Sequence, residues 1–430
     1  MKLRERLLNG PDGPVCHLPT GTLSLVQLRQ EVARVQASVA EDADRVLLYS
    51  QCSGQFLIRL LALLGLGRTV VLPANGQSDT LAALAGEADA VIDDQWQPQP
   101  TIVARPQWQE GGRVRLFTSG SSGQAKAVDK ALFQLESELA VLDALFGERV
   151  GDSVMVASVS HQHIYGLLFR LLWPFASGRP FLAETLPYPE SVEQALERFG
   201  AVALVASPAL LERLQPRADQ APVLTFSSGG PLPRHAAQRL SECWGAGAVE
   251  VYGSTETGGI AWRQAVPELR DPPWRPMPGI ALRQQEGKLS LRSPYLPDAQ
   301  WYDTEDLIEF VGDGFVLLGR ADRIVKLAEK RVSLPHMEAH LLSHEWVQQA
   351  ALVMLPGARP QLGAVLVLTE TGEQNRQQQG NFAFAQQLKT HLLSQFERVT
   401  LPRRWRYLEY LPVNAQGKLP QQVLREQFDV

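Results

Sequence analysis

Short β-branched and apolar runs alternate with helical patterns through most of this 430-residue chain. Four such runs are residues 154–158, 201–207, 223–228 and 248–252, and residues 129–146, which precede the first of them, carry Leu and Phe at helical spacing. This alternation favours a layered α/β fold. Because the runs end in or beside small residues, we expect loops grouped at one edge of a sheet, the usual place for a ligand crevice.

From about residue 280 onward, the alternation of strand and helix patterns gives way to successive strand patterns. Residues 288–292 alternate between polar and apolar side chains, as a strand does. Two further strand patterns, residues 307–311 and 315–318, flank Gly312-Asp313-Gly314. This arrangement predicts a β-hairpin with a three-residue turn that contains glycine.

A polar stretch at residues 319–323 is suited to joining two domains. The chain beyond it holds one clear strand pattern at residues 363–369 and a Gln-rich segment at 371–380, which we interpret as a loop. We therefore predict a large N-terminal layered α/β domain of residues 1–320. A small C-terminal α+β domain of residues 321–430 follows, joined by a hinge.

Charge, cysteine content and hydropathy exclude several classes of protein. The 41 basic and 46 acidic residues leave a net charge of −5, so no basic field is available to hold nucleic acid. The 3 Cys residues are too scattered for a disulfide framework or a metal site. The longest apolar runs, at 56–67 and 166–175, are too short to cross a bilayer, and the N-terminus lacks an apolar signal region. We expect no membrane insertion and a cytoplasmic location.

A glycine- and hydroxyl-rich loop follows the apolar run at residues 114–117. It comprises Thr118, Ser119, Gly120, Ser121, Ser122, Gly123, Gln124, Ala125 and Lys126. Glycines allow backbone N–H groups to approach an anion, hydroxyls add donors, and Lys126 supplies positive charge, so the loop is suited to binding phosphate. The spacing differs from that of a Walker A loop. Taken alone, the same residues are equally compatible with a flexible turn.

A second polar motif lies at the end of the run at residues 248–252. It reads Tyr252, Gly253, Ser254, Thr255, Glu256, Thr257, Gly258 and Gly259. Its aromatic ring can stack on a base, its hydroxyls can bind a phosphate, and its carboxylate can hold Mg²⁺. Ser228, Gly229 and Gly230 at the end of the preceding run are placed to line the same crevice. Alone, Glu256 is also compatible with a solvated loop carboxylate.

Taken in order and with their spacing, five motifs resemble those of the adenylate-forming superfamily. This superfamily contains acyl-CoA synthetases, aryl ligases and peptide-synthetase adenylation domains. The matching segments, which extend over nearly the whole chain, are residues 118–126, 252–257, 302–307, 319–326 and 412–418.

The resemblance assigns residues to ATP and to the metal. It implies that the loop Thr118, Ser119, Gly120, Ser121, Ser122, Gly123 and Lys126 holds the β- and γ-phosphates of ATP. Gly229, Gly230, Tyr252 and Gly253 match the residues around the adenine, Asp306 the carboxylate on the ribose, and Arg320 a second nucleotide contact. Thr255 matches the α-phosphate hydroxyl, and Glu256 the Mg²⁺ carboxylate.

The resemblance also assigns the acid site and the moving parts. Lys418 matches the late lysine whose charge lies between the attacking carboxylate and the α-phosphate. Asp322 matches the hinge. The acid pocket is expected to include His163, Ser207, Ser228 and Gly258, although His163 is equally compatible with a structural role.

The sequence departs from the family pattern at four points. The region before Thr118 is shorter than in most members, and Ala125 replaces a proline. Glu305 and Glu329 each replace a glycine, and the glycine at the second position normally lies beside the thiol tunnel. The segment around Glu329 resembles a bacterial branch of stand-alone ligases associated with aryl-polyene and xanthomonadin clusters.

This resemblance implies ATP-dependent conversion of a carboxylic acid, aromatic or hydroxyaryl, to acyl-AMP, with release of pyrophosphate. The acyl group then passes to the pantetheine thiol of an acyl carrier protein. A ligase that uses free CoA is the alternative, and a catalytically silent nucleotide-binding protein is a second. A peptide-synthetase domain is disfavoured, because no Asp near residues 205–208 or 226–228 is available for an amino group. An acidic carrier protein can dock on Arg398, Arg403, Arg404 and Arg406, or these can form a solvated charged face.

Overall fold

The computed structural model describes residues 2–99, 105–119, 125–269, 271–327, 330–357, 360–412 and 419–428. Contacts between Cα atoms divide the chain into two compact units. The first contains Met1–Ala281 and Arg292–Gln300, and the second contains Leu282–Leu291 and Trp301–Val430. The predicted mixed α/β architecture, a large N-terminal part and a smaller C-terminal part, is confirmed. The predicted hinge boundary at 320/321 falls inside the second unit and stays a prediction.

The first unit contains two sheets and most of the helices. Its strands are β1 (Pro14–Leu18), β2 (Gly21–Ser24), β3 (Arg45–Leu48), β4 (Thr69–Leu72), β5 (Ala90–Ile92), β6 (Arg113–Ser119), β7 (Ala125–Ala131), β8 (Val154–Ala157), β9 (Phe181–Thr185), β10 (Val202–Ala206), β11 (Leu224–Ser227), β12 (Val249–Ser254), β13 (Gly258–Gln264) and β14 (Arg275–Pro276). Its helices are α1 (Leu3–Asn9), α2 (Leu25–Gln36), α3 (Ser53–Gly65), α4 (Ser78–Ala83), α5 (Leu132–Val150), α6 (Ile164–Gly166), α7 (Trp173–Ser177), α8 (Pro189–Phe199), α9 (Pro208–Arg213) and α10 (Arg234–Trp244). A π-helical segment, Leu167–Leu172, joins α6 to α7.

A nine-stranded sheet in the order β14-β13-β12-β11-β10-β8-β9-β1-β2 carries the predicted crevice edge. Strands β8 to β12 run parallel to their neighbours, so their carboxyl ends share one edge. The chain leaves β8 towards β9 on one side and returns to β10 on the other. Such a reversal of strand order opens a crevice at the carboxyl edge.

The first unit is layered because one largely apolar and almost completely buried helix separates its two sheets. Every residue of α3 except Gln55 is buried, and the helix packs against β3 and β4 of the five-stranded sheet and against β9 of the nine-stranded sheet. A helix that is apolar on all sides requires cover on all sides. The five-stranded sheet has the order β5-β3-β4-β6-β7.

The Gly/Ser loop lies between two strands, which corrects the expectation that a helix follows it. β6 and β7 pair antiparallel with Thr118 opposite Lys126, and α5 begins only at Leu132. Asp129, which the helical pattern included, pairs across the hairpin with Arg115 at 2.8 Å. This cross-strand ion pair and the continuous backbone pairing with β6 favour the strand over the helix.

The second unit is built on three smaller sheets. Its strands are β15 (Ala281–Gln285), β16 (Lys288–Arg292), β17 (Tyr302–Val311), β18 (Gly314–Arg320), β19 (Ile324–Leu327), β20 (Lys330–Ser333), β21 (Val347–Leu355), β22 (Gln361–Leu368) and β23 (Arg404–Tyr407). Its helices are α11 (Leu334–Leu342), α12 (Glu370–Leu392) and α13 (Gln421–Glu426). The sheet orders are β15-β16-β17-β18, β19-β20 and β21-β22-β23.

Two local expectations for the second unit are wrong. Val311 pairs with Gly314, so the β17–β18 turn has two residues rather than three. The Gln-rich segment forms the first half of α12 because Gln, Glu and Arg are good helix formers and Thr369 caps the helix by accepting from the Gly372 N–H. Gly380, with φ 79°, breaks this helix in the middle.

No helix among the described residues has the length and apolarity needed to span a membrane.

Candidate active site

Thr255 and Glu256 lie on a tight turn at the carboxyl end of β12. Ser254 pairs with Gly258 across β12 and β13, which leaves residues 255–257 as the turn. The Thr257 hydroxyl closes the turn, because it accepts from the Ser254 N–H at 3.1 Å and donates to the Gly258 carbonyl at 2.9 Å. Both predicted site residues therefore lie at the tip, half-buried.

Two glycines make this turn possible. A Cβ on Gly253 would lie 2.3 Å from the Gly258 carbonyl oxygen, so the two strands approach too closely for a side chain. Gly258 has φ +68°, and a Cβ there would lie 2.5 Å from Tyr295 Cδ2 and 2.8 Å from Glu138 Oε2. Gly258, predicted for the acid pocket, thus contributes backbone only.

Serines occupy the neighbouring strand ends, as the sequence predicted. The Ser228 hydroxyl donates to the Val251 carbonyl at 2.8 Å and ties the end of β11 to β12. Gly229 and Gly230 follow it and are exposed, and Gly229 has φ +90°. Ser207 caps α9 by accepting from the Leu210 N–H at 3.3 Å. The structure thus brings Ser207 and the 228–230 turn to the same sheet edge as Thr255, and a role in acid binding stays a prediction.

Tyr252, the predicted adenine neighbour, belongs to an aromatic and cationic stack. Its ring centroid lies 5.6 Å from that of Trp274. The Arg263 guanidinium carbon lies 4.7 Å from the centroid of the Trp274 ring. Arg263 is itself fixed by Glu250 at 2.9 Å. Sequence analysis missed Trp274, whose only sequence signal is a Trp among prolines in Asp271–Pro276.

The two histidines of the 161–166 segment have different surroundings. His161 is 3% exposed, and its Nε2 lies 2.9 Å from the Ser50 carbonyl oxygen, so this nitrogen carries the proton. Burial lowers the pKa of His161 to about 3, with smaller contributions from Arg170 and His163. His161 is therefore a neutral structural residue. His163 is half-buried and precedes α6, and its predicted place beside the acid stays a prediction.

Sequence analysis missed three buried polar side chains, Lys130, Gln134 and Glu138, of which Lys130 and Glu138 bind the Thr255–Gly259 turn. Lys130 Nζ donates to the carbonyl oxygens of Glu256 at 2.7 Å and Tyr295 at 2.8 Å. Glu138 accepts from the Gly259 N–H at 2.7 Å. Burial lowers the pKa of Lys130 to about 8, against the raising effect of Glu138 and Glu256. Burial raises the pKa of Glu138 to about 7, against the lowering effect of the Gly259 N–H and Lys130.

The third of these side chains, Gln134, binds a neighbouring loop. It lies on α5 between the other two positions. Its amide nitrogen donates to the carbonyl oxygens of Tyr295 at 3.1 Å and Leu296 at 2.8 Å. Its amide oxygen accepts from the Ala131 N–H at 2.8 Å.

In the second unit, Arg320 lies between the other two predicted residues. Asp306 and Arg320 are opposite each other on β17 and β18, with Oδ1 and Nη1 3.5 Å apart. Arg320 also forms a two-pronged ion pair with Asp322 at 2.9 and 2.7 Å. This hydrogen bonding lowers the pKa of Asp322 despite the opposing effect of partial burial. The predicted hinge carboxylate is therefore bonded directly to Arg320 and connected through it to Asp306.

Two features of the sequence have structural roles in this unit. Glu305, which replaces a family glycine, forms an ion pair with Lys288 of the neighbouring strand at 2.8 Å. Arg404 and Arg406 hold the C-terminal segment, because they donate to the carbonyl oxygens of Phe428 and Gln427. These two arginines are thus committed to internal contacts rather than forming a free basic face.

Some predicted site residues lie outside the described residues. These are Gly120, Ser121, Ser122, Gly123 and Lys418, and so is Glu329 at the departure from the family pattern. Thr118 and Ser119 are described only as backbone in β6, and Lys126 in β7 has an exposed side chain.

The donors at the turn fit a magnesium ion that arrives with a nucleotide. Among the described residues, no group of three or more His, Cys, Asp or Glu side chains is arranged to hold a metal ion. Mg²⁺ commonly takes one or two protein carboxylates and completes its shell with phosphate oxygens and water. Glu256, a single carboxylate beside the Thr255 hydroxyl, fits that pattern and does not form an all-protein cage.

Comparison with known proteins agrees with this geometry. Residues 87–290 match the family model described as AMP-binding enzyme. The chain is 31% identical over 267 residues to 4-coumarate–CoA ligase of Cereibacter sphaeroides, a match covering 61% of each chain. It is 26% identical over 508 residues to anthranilate–CoA ligase of Pseudomonas aeruginosa, covering 99% of this chain and 95% of that one. ATP-bound MatB from Rhodopseudomonas palustris has the same fold, with TM-score 0.79, 19% identity and coverage of 99% and 98%.

Proposed function

We propose that the chain is an adenylate-forming enzyme, which the match of residues 87–290 to the AMP-binding enzyme family supports, and that it activates an aromatic carboxylic acid with ATP and passes the acyl group to a pantetheine thiol of an acyl carrier protein. The observation that carries this proposal is the Thr255–Glu256 turn at the carboxyl edge of the nine-stranded sheet. Relatives named for anthranilate and 4-coumarate support an aromatic acid.

The first half-reaction joins two anions. A carboxylate oxygen attacks the α-phosphorus of ATP, the bond from that phosphorus to the bridging oxygen breaks, and pyrophosphate leaves. In our assignment the Thr255 hydroxyl donates to the α-phosphate, and Lys126 and Lys418 supply the positive charge that lowers repulsion between the reactants. Glu256 would hold Mg²⁺, which supplies charge neutralisation for the phosphates.

This assignment gives the adenine and the ribose separate contacts. The Tyr252 ring, backed by Trp274, offers a flat face to the adenine. Asp306 accepts hydrogen bonds from the ribose hydroxyls, and Arg320 fixes the Asp306 and Asp322 carboxylates. We further propose that the C-terminal domain of residues 321–430 turns about Asp322 between the two half-reactions.

In the second half-reaction, the pantetheine sulfur attacks the acyl carbon, the bond to AMP breaks, and the thiol proton is released. Glu329 in place of the family glycine is our reason for preferring a carrier protein to free CoA. Free CoA is the second candidate acceptor, and the CoA ligases among the relatives favour it. ATP use and three free cysteines suit a reducing cytoplasm.

Exchange of labelled pyrophosphate into ATP tests the first half-reaction. The panel is benzoate, anthranilate, 4-hydroxybenzoate, 4-coumarate and octanoate. We expect exchange with at least one aromatic acid and none with octanoate. Exchange with octanoate alone would refute the aromatic assignment, and exchange with no acid would refute the proposed activity.

AMP release with CoA or with holo carrier protein then identifies the acceptor. We expect the carrier protein to accelerate release more than CoA does, and the Glu329→Gly variant to gain activity with CoA. Glu305→Gly is the matched control, because it removes the other Glu-for-Gly departure, whose side chain is paired with Lys288. A CoA preference in the unmodified protein would refute the carrier assignment.

A further inference from the structure

Three buried polar residues follow one another at intervals of four along β7 and α5. Lys130 is 2% exposed, Gln134 4% and Glu138 4%. They interrupt a segment whose other inward positions, Leu135, Leu139 and Leu142 among them, belong to the apolar core. Charged side chains are rarely this buried unless they are paired with other polar groups.

The ammonium group of Lys130 is directed at main-chain atoms. Its two hydrogen bonds reach the carbonyl oxygens of Glu256 and Tyr295. The first of these belongs to the residue assigned to the metal, so Lys130 fixes the backbone from which that carboxylate projects. Replacing a buried ion pair by well-packed apolar side chains is often neutral or stabilising, so stability alone does not account for a buried ammonium group here.

Glu138 holds the opposite end of the same turn. It accepts from the Gly259 N–H, and its second oxygen lies against the Gly258 backbone. Ser293 adds a third support by donating its hydroxyl to the Thr257 carbonyl at 3.0 Å. Lys130, Ser293 and Glu138 therefore bind the main chain of the turn at Glu256, Thr257 and Gly259, respectively.

Lys130 also connects two sheets. It lies on β7 of the five-stranded sheet, four residues after Lys126 and on the strand that leaves the Gly/Ser loop. Its partner Glu256 lies on the turn between β12 and β13, two strands of the nine-stranded sheet. The strand that carries Lys126 and the turn assigned to the metal are thus joined by the hydrogen bond from Lys130 to Glu256.

We propose that Lys130 and Glu138 are positioning residues, which fix the Thr255–Gly259 turn relative to β7, the strand that carries Lys126, so that the Glu256 carboxylate meets the metal ion on the ATP phosphates. This inference rests on the proposed function for the identity of the ligand. Neither residue touches the reacting atoms.

The test measures metal binding directly. Mn²⁺ replaces Mg²⁺, and its binding to the full-length protein saturated with the non-hydrolysable analogue AMPCPP is followed by electron paramagnetic resonance. Loss of a group that orients a metal ligand typically weakens metal binding by roughly 10- to 100-fold. We expect at least about a tenfold rise in the Mn²⁺ dissociation constant for Lys130→Met and for Glu138→Leu.

Two further variants separate positioning from stability. Gln134→Leu removes an equally buried donor whose partners are Tyr295 and Leu296, outside the turn. We expect it to lower the melting temperature and to leave Mn²⁺ binding unchanged. Glu138→Gln keeps an oxygen that can accept from the Gly259 N–H, so it should bind Mn²⁺ as the unmodified protein does.

Equal weakening of Mn²⁺ binding by Lys130→Met and Gln134→Leu would overturn the proposal, as would unchanged binding in Lys130→Met and Glu138→Leu. If Lys130→Met does not fold, the comparison of Glu138→Leu with Glu138→Gln decides the matter alone. Failure of the proposed function is a separate result, since it is read from pyrophosphate exchange by the unmodified protein. The Mn²⁺ measurement needs no acid and no turnover.

Discussion

Replacing Gly258 by Ala should damage the turn by two separable effects. The residue has φ +68°, a left-handed conformation that costs an L-amino acid roughly 1–2 kcal/mol. The added Cβ would also lie 2.5 Å from Tyr295 Cδ2, well inside van der Waals contact. Forcing a methyl group into a packed site costs typically about 1–3 kcal/mol. We therefore expect Gly258→Ala to lower the free energy of unfolding by roughly 2–5 kcal/mol.

Gly245→Ala provides the matched control for this experiment. Gly245 has φ +78°, but a Cβ there meets no atom within 4 Å. The control contains the backbone strain without the collision, so it should lose only about 1–2 kcal/mol. Both glycines lie in the first unit, so urea unfolding of the full chain reads both from the same transition.

The comparison also has a functional readout. The collision pushes the turn away from Tyr295 and Glu138, and a misplacement of about 1 Å near reacting groups can cost roughly 100-fold in rate. Pyrophosphate exchange should therefore fall strongly in Gly258→Ala and little in Gly245→Ala. Equal destabilisation by the two substitutions, with equal exchange rates, would refute the close packing of the turn on Tyr295.

Three further measurements test other parts of the structure. Glu338→Gln breaks a two-pronged, largely buried bond to Arg323, at 2.9 and 2.6 Å, and should lower the free energy of unfolding of the second unit by roughly 3 kcal/mol in a urea titration. The pKa of His161 is about 3 in the folded protein and 6.5 in the unfolded chain. Below pH 6.5 the unfolded chain therefore binds more protons than the folded protein, and the free energy of unfolding decreases as the pH is lowered. The loss approaches about 1.4 kcal/mol per pH unit, and His161→Gln should flatten this slope in thermal melts between about pH 6 and about pH 4. Trp274→Leu removes the support behind Tyr252 and should raise the KM for ATP in the exchange assay roughly three- to tenfold, with kcat unchanged.

The strands that form the crevice edge were predictable because their signal is local. Residues 154–158, 201–207, 223–228 and 248–252 were predicted as strands and correspond to β8, β10, β11 and β12 with small shifts at the ends. A buried parallel strand is a continuous apolar run, and the serine or glycine at its end is visible in the same few residues. The turn at Thr255 lies at this edge, so its position was predictable as well.

The errors arose where a distant partner determines the local structure. Residues 125–131 form a strand because β6 lies beside them, with Arg115 opposite Asp129, and nothing within the segment shows this. The Gln-rich segment was judged by its low complexity, although its residues favour a helix once Thr369 caps it. Lys130 escaped notice because its partners, Glu256 and Tyr295, are more than a hundred residues away in sequence.

The two motifs assigned to ATP belong to different sheets of the first unit, and this makes their relative position a structural problem. Side chains in the apolar layer between two sheets can shift by repacking with little loss of stability, whereas a metal ion shared by a carboxylate and phosphates tolerates only small displacements. Hydrogen bonds from a buried ammonium group are directional and resist such shifts. The buried Lys130 therefore costs some stability but holds Glu256 at a fixed distance from the strand that carries Lys126. The same reasoning explains why Glu138, rather than another leucine, binds the Gly259 N–H.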